Sequence, residues 1–421
     1  MPERHLPVRP DLDQLKHQAK DLLKAIRRSD SEALDDLRKF HPKPLGPKAV
    51  KLADAQLVLA RSYVAPSWTR LVQGCHLIDA IWRDDVSAVR ALVKRNPKLL
   101  KEEALIRKGN WGPPLSYAAN LGRDRIIELL YALGARDLET AFDRAILQSR
   151  IGTAVRIHSL MGSPPPPEGA LGGPAYTLSA SGTALVFNLG GKVRAADGRR
   201  LAPVSVVLET DSRKPEAKHA ILQMYVDHGL ELPDTPTMAL HRGRIDLLEA
   251  HLRRDPGLLN RTFTHEEIYP PELDCHDEVL ATQGTPLKGT TLLHMCVDYD
   301  EMEIARWLIA RGTSVNAKAA VDQAGFGGHT PLFSTVVSQP NFWMNHNRGP
   351  QEAPFTQLLL DHGADPNARA SLRKQLHPGY GPDTIHEYRD VTALSWGRRF
   401  HRAVFASEPA MRLIAAHGGV E

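Results

Sequence analysis

The stretch from Gly289 to Lys318, "GTTLLHMCVDYDEMEIARWLIARGTSVNAK", decides the fold because it holds every part of one repeating unit. It opens as G-x-T-x-L-H and continues with two short apolar helical segments that are separated by a break. It closes on a glycine and the triplet V-N-A. Helices of two or three turns cannot bury their apolar faces alone, so we expect neighbouring units to stack on one another.

The same pattern recurs along the chain. "HTPLFSTVVSQ" repeats the opening at His329, and "FTQLLLDHGADPNARA" repeats the ending at 355–370. Together the copies predict about eight helix pairs and therefore an all-α solenoid with hairpin fingers. Further copies lie at 113–135, 202–229 and 392–419, and weaker ones begin at Leu77, Leu138 and Thr235.

These units resemble the ankyrin repeat, whose T-P-L-H-x-A opening and G-A-x-V-N-A ending are visible here. The resemblance covers roughly 76–421, and residues 10–75 resemble the helical leader of some bacterial ankyrin proteins. It implies helix–turn–helix units with β-hairpin fingers and a concave binding face. The chain departs from the family at Leu292, Cys296, Asp300 and Thr313. The resemblance assigns the structural repeat motif to Thr291, His294, Gly312, Asn316, Thr330, Pro331, Gly363 and Asn367.

His294 is the residue on which a functional or a structural interpretation turns. In the T-x-x-H spacing, Thr291 caps the first helix and its hydroxyl lies within reach of the imidazole one turn later. The imidazole can also bond the backbone of a neighbouring loop. We therefore predict that His294 is part of the scaffold, and a ligand role is the alternative.

Composition shifts divide the chain into four segments. Residues 1–75 predict a small helical cap, and 76–163 a first repeat stack. The Pro/Gly run at 164–174, within "MGSPPPPEGALGGP", is expected to be a linker without helix. Residues 175–421 then form a second stack. "TALVFNLGGKVRAADGRR", at its start, is expected to form short strands around two turns, as an enlarged finger.

Bulk composition excludes several classes of protein. The chain is 42% hydrophobic and 24% charged, with a mean hydropathy of -0.31, which is typical of a soluble folded protein. The sequence predicts neither a membrane span nor an apolar signal segment. Of the net charge of +4, residues 1–75 carry +5 and the remaining residues −1, a bias too weak and diffuse for a nucleic-acid footprint. Three cysteines without a CxxC pair favour a reducing, cytoplasmic setting.

Insertions in the last repeats carry the functional prediction. Thr330 and Thr392 stand 62 residues apart, where a plain repeat takes about 33. The extra lengths, at 260–288, 319–328, 338–353 and 371–389, are rich in aromatic residues and histidine, unlike disordered tails. We therefore expect a recognition surface. The residues predicted to contact a partner are Phe326, Phe342, Trp343, His346, His386 and Tyr388.

These observations predict a non-catalytic scaffold. It binds a partner protein through the concave groove and these loops, with no cofactor, nucleic acid or membrane involved. The alternative is a metal- or small-molecule-binding pocket, conceivably hydrolytic, beneath the C-terminal insertions. Its candidate metal ligands are His265, Cys275 and His276, although adjacent residues of an extended loop diverge. The sequence indicates neither the partner's identity nor the oligomeric state.

Overall fold

The computed structural model describes residues 4–210, 212–276, 284–337, 352–375 and 384–421. By internal contacts the chain forms two compact units, Met1–Pro165 and Pro166–Glu421. Both are built of paired helices, and the described residues form 22 α-helices and two β-strands. The all-α class expected from the sequence is confirmed.

The described residues of the first unit form nine α-helices. Its N-terminal helix, α1, begins at the cap residue Asp11, whose side chain accepts hydrogen bonds from two backbone amides of the first turn. Leu15, Ala19, Leu22 and Ile26 form its buried stripe, as the 3.6-residue periodicity predicts. The helices are α1 (Leu12–Arg27), α2 (Ser31–Phe40), α3 (Leu52–Ser62), α4 (Trp68–Trp82), α5 (Val86–Arg95), α6 (Pro114–Leu121), α7 (Asp124–Ala132), α8 (Leu138–Leu147) and α9 (Ile151–Leu160).

Helix α4 runs through the boundary predicted at 75. Ser67 caps it, and buried side chains continue on both sides of that position, from Leu71 and Cys75 to Leu77 and Ile78. The cap and the first repeat stack therefore share one helix. Within this unit α4 packs on α6, and α6 packs on α8.

The second unit carries the remaining helices and the strands. Its helices are α10 (Gly172–Tyr176), α11 (Ala180–Asn188), α12 (Val204–Glu209), α13 (Pro215–Asp227), α14 (Pro236–His241), α15 (Ile245–Arg254), α16 (His265–Ile268), α17 (Leu292–Tyr299), α18 (Met302–Ala310), α19 (Pro331–Val336), α20 (Pro354–Asp361), α21 (Ala393–Arg399) and α22 (Glu408–Ala416). The strands β1 (Arg369–Lys374) and β2 (His386–Thr392) pair antiparallel, with Arg369 opposite Thr392 and Lys374 opposite His386. Helix α17 packs on α19, and α19 packs on α21.

Two local expectations for residues 161–198 are wrong. The stretch expected to begin with strands is helix α11, because Ser179 caps it and Leu185, Val186 and Phe187 turn into the core. The Pro/Gly run also ends in a helix, since α10 begins at Gly172. Only the second turn matches the prediction, with Gly198 at a positive φ and a bridge between Arg194 and Arg200.

Buried charges tie the α12–α13 pair to the α17–α18 pair across the intervening α14–α15 pair. Lys218 Nζ lies 2.7 Å from Glu301 Oε1, and both side chains are about 3% exposed. His219 Nε2 lies 2.9 Å from the same oxygen. Arg213 binds both the carboxylate and the carbonyl of Asp298, at 2.9 and 2.6 Å.

The cations hold this carboxylate ionised. Burial alone would raise the pKa of Glu301, but the charges and hydrogen bonds of Lys218 and His219 together lower it. Lys218 Nζ also lies 4.4 Å from the centre of the Tyr299 ring, a cation–π contact. The ion pair between Lys218 and Glu301 thus joins two helix pairs that are not neighbours in the sequence.

Replacing Glu301 with alanine should destabilise the protein by about 3–5 kcal/mol, because the variant leaves Lys218 buried without its carboxylate. The matched control is Glu303→Ala, which removes an exposed carboxylate from the same helix and should cost at most about 0.5 kcal/mol. Urea unfolding followed by circular dichroism measures both. Equal losses in the two variants would contradict the role given to the buried pair.

Candidate functional site

His294 is wholly buried and uses both ring nitrogens. Its Nδ1 lies 2.9 Å from the Thr291 hydroxyl, and its Nε2 donates to the His329 carbonyl oxygen at 3.0 Å. Burial, together with the neighbouring His329, lowers the pKa of His294 to about 3, so the ring is neutral at physiological pH. In this geometry His294 joins its own helix to the finger of the next repeat.

Two further histidines make the same kind of bond. His329 Nε2 donates to the Pro286 carbonyl at 2.9 Å, and His241 Nε2 donates to the Ile268 carbonyl at 3.0 Å. Burial lowers the pKa of His329 to about 4. Three buried imidazoles therefore fix loop backbones to the helical layer along this unit, His294 and His329 near helix starts and His241 at the end of α14, although sequence spacing singled out only one of them.

Asparagines at the ends of the repeats make a second recurring set of hydrogen bonds. The side-chain Nδ2 of Asn316 donates to the Gly363 carbonyl at 2.9 Å, and its Oδ1 accepts from the backbone N–H of Asp365 at 2.7 Å. Asn367 makes the equivalent pair with Gly418 and Val420, at 3.1 and 2.8 Å. Each asparagine thus bonds the turn of the following repeat. In the other motif positions, Gly312 and Gly363 adopt positive φ, and Thr330 and Pro331 begin α19.

Backbone hydrogen bonds link the fingers of this unit into one row, here called the finger ladder. The Phe263 amide donates to Thr290 at 2.8 Å, and the Ala320 amide donates to Gly289 at 2.7 Å. Ala319 bonds His329 within one finger, and Gly327 bonds Ser371 at the start of the β1–β2 hairpin. The ladder therefore runs from Phe263 to β2 and presents successive fingers at fixed spacing.

Two glycines let the backbones of adjacent fingers approach each other closely. A Cβ on Gly327 would lie 2.0 Å from the Ala320 carbonyl oxygen, and one on Gly289 would lie 2.8 Å from the Ala320 Cβ. Both residues also adopt a positive φ, which a side chain would disfavour. Residues 325–328, "GFGG", thus form a finger turn.

An open groove of about 550 Å³ lies along the ladder and is here called the finger groove. Its floor is mostly apolar, and Val321 stands beside it with 61% of its surface exposed. Exposed apolar side chains next to an apolar groove mark interaction sites. The lining residues are Thr262, Phe263, Thr264, Pro286, Lys288, Gly289, Ala320, Val321, Asp322, Phe326, Gly327, His329, Leu372 and Arg373.

Phe326 is only 5% exposed, although its sequence context indicated an exposed anchor. The guanidinium groups of Arg373 and Arg389 lie 4.0 and 4.3 Å from its ring centre. Glu387 holds both arginines, at 3.3 and 3.1 Å. The ring therefore joins the β1–β2 hairpin to the preceding finger and forms part of the groove wall.

Tyr388 and His386 lie on β2 beside α21. The Tyr388 hydroxyl is 2.7 Å from His401 Nδ1 and accepts a hydrogen bond from the backbone N–H of His401 at 3.0 Å. Tyr388 is only 4% exposed. His386 stacks on His401 with ring centres 3.8 Å apart. Burial and the charge of His386 lower the pKa of His401 to about 4. Trp396, which sequence reasoning did not select, packs edge-on against Tyr388.

Other predicted contact and metal-binding residues are placed as follows. Phe342, Trp343 and His346 lie outside the described residues. His265 Nε2 is 3.1 Å from the His276 carbonyl, while the His276 ring pairs with Glu209. Burial raises the pKa of the Cys275 thiol to about 12.

The described ranges contain neither a metal cluster nor a membrane span. No group of three or more His, Cys, Asp or Glu side chains is arranged there to hold a metal ion. Likewise, none of the described helices is long and apolar enough to cross a bilayer.

Comparison with known proteins agrees with this geometry. The ankyrin repeat family model matches residues 288–320, the segment that contains His294, so this segment is similar to an ankyrin repeat. Ankyrin repeat domains are generally protein–protein interaction modules. No curated protein sequence matches the chain.

Similar solved structures are also ankyrin repeat domains. One is the human ASB11 ankyrin repeat domain, at 13% identity and a TM-score of 0.20, covering 82% of this chain and 97% of that one. Another is the ankyrin repeat domain of Bcl-3, described as a unique member of the IkappaB protein family. It is 14% identical with a TM-score of 0.21, covering 67% of this chain and 99% of that one.

The buried histidines predict a specific dependence of stability on pH. Unfolded histidine has a pKa of about 6.5, above the values of His294 and His329 in the folded protein. The contribution of these two histidines to the free energy of unfolding is complete above pH 6.5 and is lost as the pH falls toward 4. Between pH 6.5 and 5, each histidine should lower the free energy of unfolding by about 2 kcal/mol, because it is protonated only in the unfolded chain.

Urea unfolding at several pH values measures this slope. His294→Gln removes one titrating ring, keeps a donor for the His329 carbonyl, and should flatten the slope between pH 6.5 and 5. His417→Gln changes an exposed histidine and should leave the slope as in the wild type. A slope that His294→Gln does not change would contradict the proposed linkage.

Proposed function

We propose that this chain is a non-catalytic protein-binding module whose partner contacts the finger groove and the loops beside it. The observation that carries the proposal is the groove itself, an apolar depression of about 550 Å³ on a hydrogen-bonded ladder of fingers. A rigid backbone row with an open apolar face loses little entropy on binding. The general role of ankyrin repeats in protein recognition supports the same reading.

The aromatic residues contribute to this proposal in two ways. Phe326 lies in the finger before the β1–β2 hairpin and forms part of the groove wall, where it contacts Arg373 of β1. Tyr388 and His386 lie on β2 and hold that hairpin through His401. Phe342, Trp343 and His346 are proposed as direct anchors on the strength of their sequence, because aromatic side chains dominate binding hot spots. A partner would then contact both a preformed groove and an aromatic loop.

A capture experiment with matched variants tests the proposal. The full chain is immobilised beside Val321→Asp, which puts a charge next to the groove, and Val404→Asp, which does the same at a valine of similar exposure outside the lining. Proteins retained from a lysate of the source organism are identified by mass spectrometry, purified and rebound. We expect one partner whose retention falls at least tenfold with Val321→Asp and is unchanged with Val404→Asp.

A third variant tests the aromatic loop separately. Replacing residues 339–352 with a short Gly/Ser link removes Phe342, Trp343 and His346, and should weaken capture of the same partner. Circular dichroism confirms that each variant is folded. If no protein is retained, or Val321→Asp retains the partner as well as wild type does, the proposal is wrong.

A further inference from the structure

The charges lining the finger groove are unequal. Arg373 and Asp322 lie 3.7 Å apart and compensate each other. Lys288 is exposed and makes no ion pair within 4 Å among the residues that the structure describes. The charged side chains of the lining therefore carry a net charge of +1 beside an apolar floor, which is complementary to a carboxylate next to an apolar group. Glu266, outside the lining, attracts Lys288 electrostatically but forms no ion pair with it within 4 Å.

The backbone at the groove offers unused donors. The amides of Ala320 and Asp322 are engaged, with the Gly289 and Phe326 carbonyls respectively. Within the described ranges, the amides of Val321 and Lys288 donate to no backbone carbonyl. An extended peptide can bond such amides through its own main chain while its side chains enter alternate pockets.

The floor favours side chains of moderate size. Phe263 and Leu372 are buried beneath it, and Pro286 lies at the side. Gly289 and Gly327 also line the groove and add no side chain to it. A volume of about 550 Å³ falls within the range of about 300–1,000 Å³ found for specific ligand sites.

From these features we infer that the finger groove binds an extended acidic–apolar segment of the partner protein. An apolar side chain occupies the groove, a carboxylate pairs with Lys288, and the peptide backbone bonds the free amides. The inference rests on the proposed function and names the chemistry that the partner must present.

Two labelled peptide pools test the inference with the full chain. Both carry the pattern apolar–any–apolar, flanked by Asp/Glu in one pool and by Lys/Arg in the other. Fluorescence polarisation at about 0.15 M salt should give the acidic pool at least tenfold higher affinity. Raising the salt should narrow that preference, because the Debye length shortens.

Charge-reversal variants then show whether the preference for acidic peptides depends on Lys288. Lys288→Glu should lower the affinity for the acidic pool at least fivefold. Lys318→Glu makes the same change in net charge at an exposed lysine outside the groove lining, and should change affinity less than twofold. Val321→Asp should abolish binding of the acidic pool, whereas Val404→Asp should not.

The outcomes separate this inference from the proposed function. Equal affinity for the two pools, or equal effects of Lys288→Glu and Lys318→Glu, overturns the inference. If Val321→Asp loses a captured partner while neither pool binds, the protein-binding function stands and the acidic-peptide inference is wrong. If no partner is captured and neither pool binds, both are wrong.

Discussion

The finger face of this protein depends on the hydrogen bond from a buried neutral imidazole to a carbonyl oxygen in the next loop. His294 makes it to His329, and His329 makes it to Pro286, so each finger is positioned by the helix start beside it. A protonated ring could not remain in this setting, since burial strongly disfavours its charge. The finger ladder and its groove exist because these loops are held in register.

A second constraint acts deeper in the same unit. The ion pair of Lys218 with Glu301, and that of Arg213 with Asp298, connect segments that are separated by a whole helix pair. Repeat proteins are commonly held by contacts between nearest neighbours. Here a polar network reaches past the nearest neighbour, so the α12–α13 and α17–α18 pairs cannot separate without exposing buried charge.

The two constraints explain why the groove is preformed. The histidines fix the fingers at one end of the helices, and the buried ion pairs hold α17–α18 in the core. Gly289 and Gly327 then let the backbones approach more closely than any other residue would. A binding surface built on such a frame needs little rearrangement when a partner arrives.

Local periodicity and motif spacing determined much about this protein. The Thr291–His294 pair could be interpreted from sequence because a spacing of three residues brings both side chains together at a helix start, and the paired helices were predicted from the same periodicity. Asn316 was assigned only through the resemblance to the ankyrin repeat. Helix α11 was not predicted, since its sequence contains a glycine and two β-branched residues and is followed by Gly190 and Gly191. It is helical through the Ser179 cap and the packing of its apolar face.

The candidate site was predicted only in part. The sequence indicated the inserted loops and Phe326, but not that two arginines cover its ring. Lys288, Val321 and Leu372 gave no signal, because they come from three separate segments whose meeting is decided by backbone bonds between fingers. Local chemistry thus determined the repeating unit, while only the tertiary structure decided the groove, because a surface shared by distant segments is set by long-range packing.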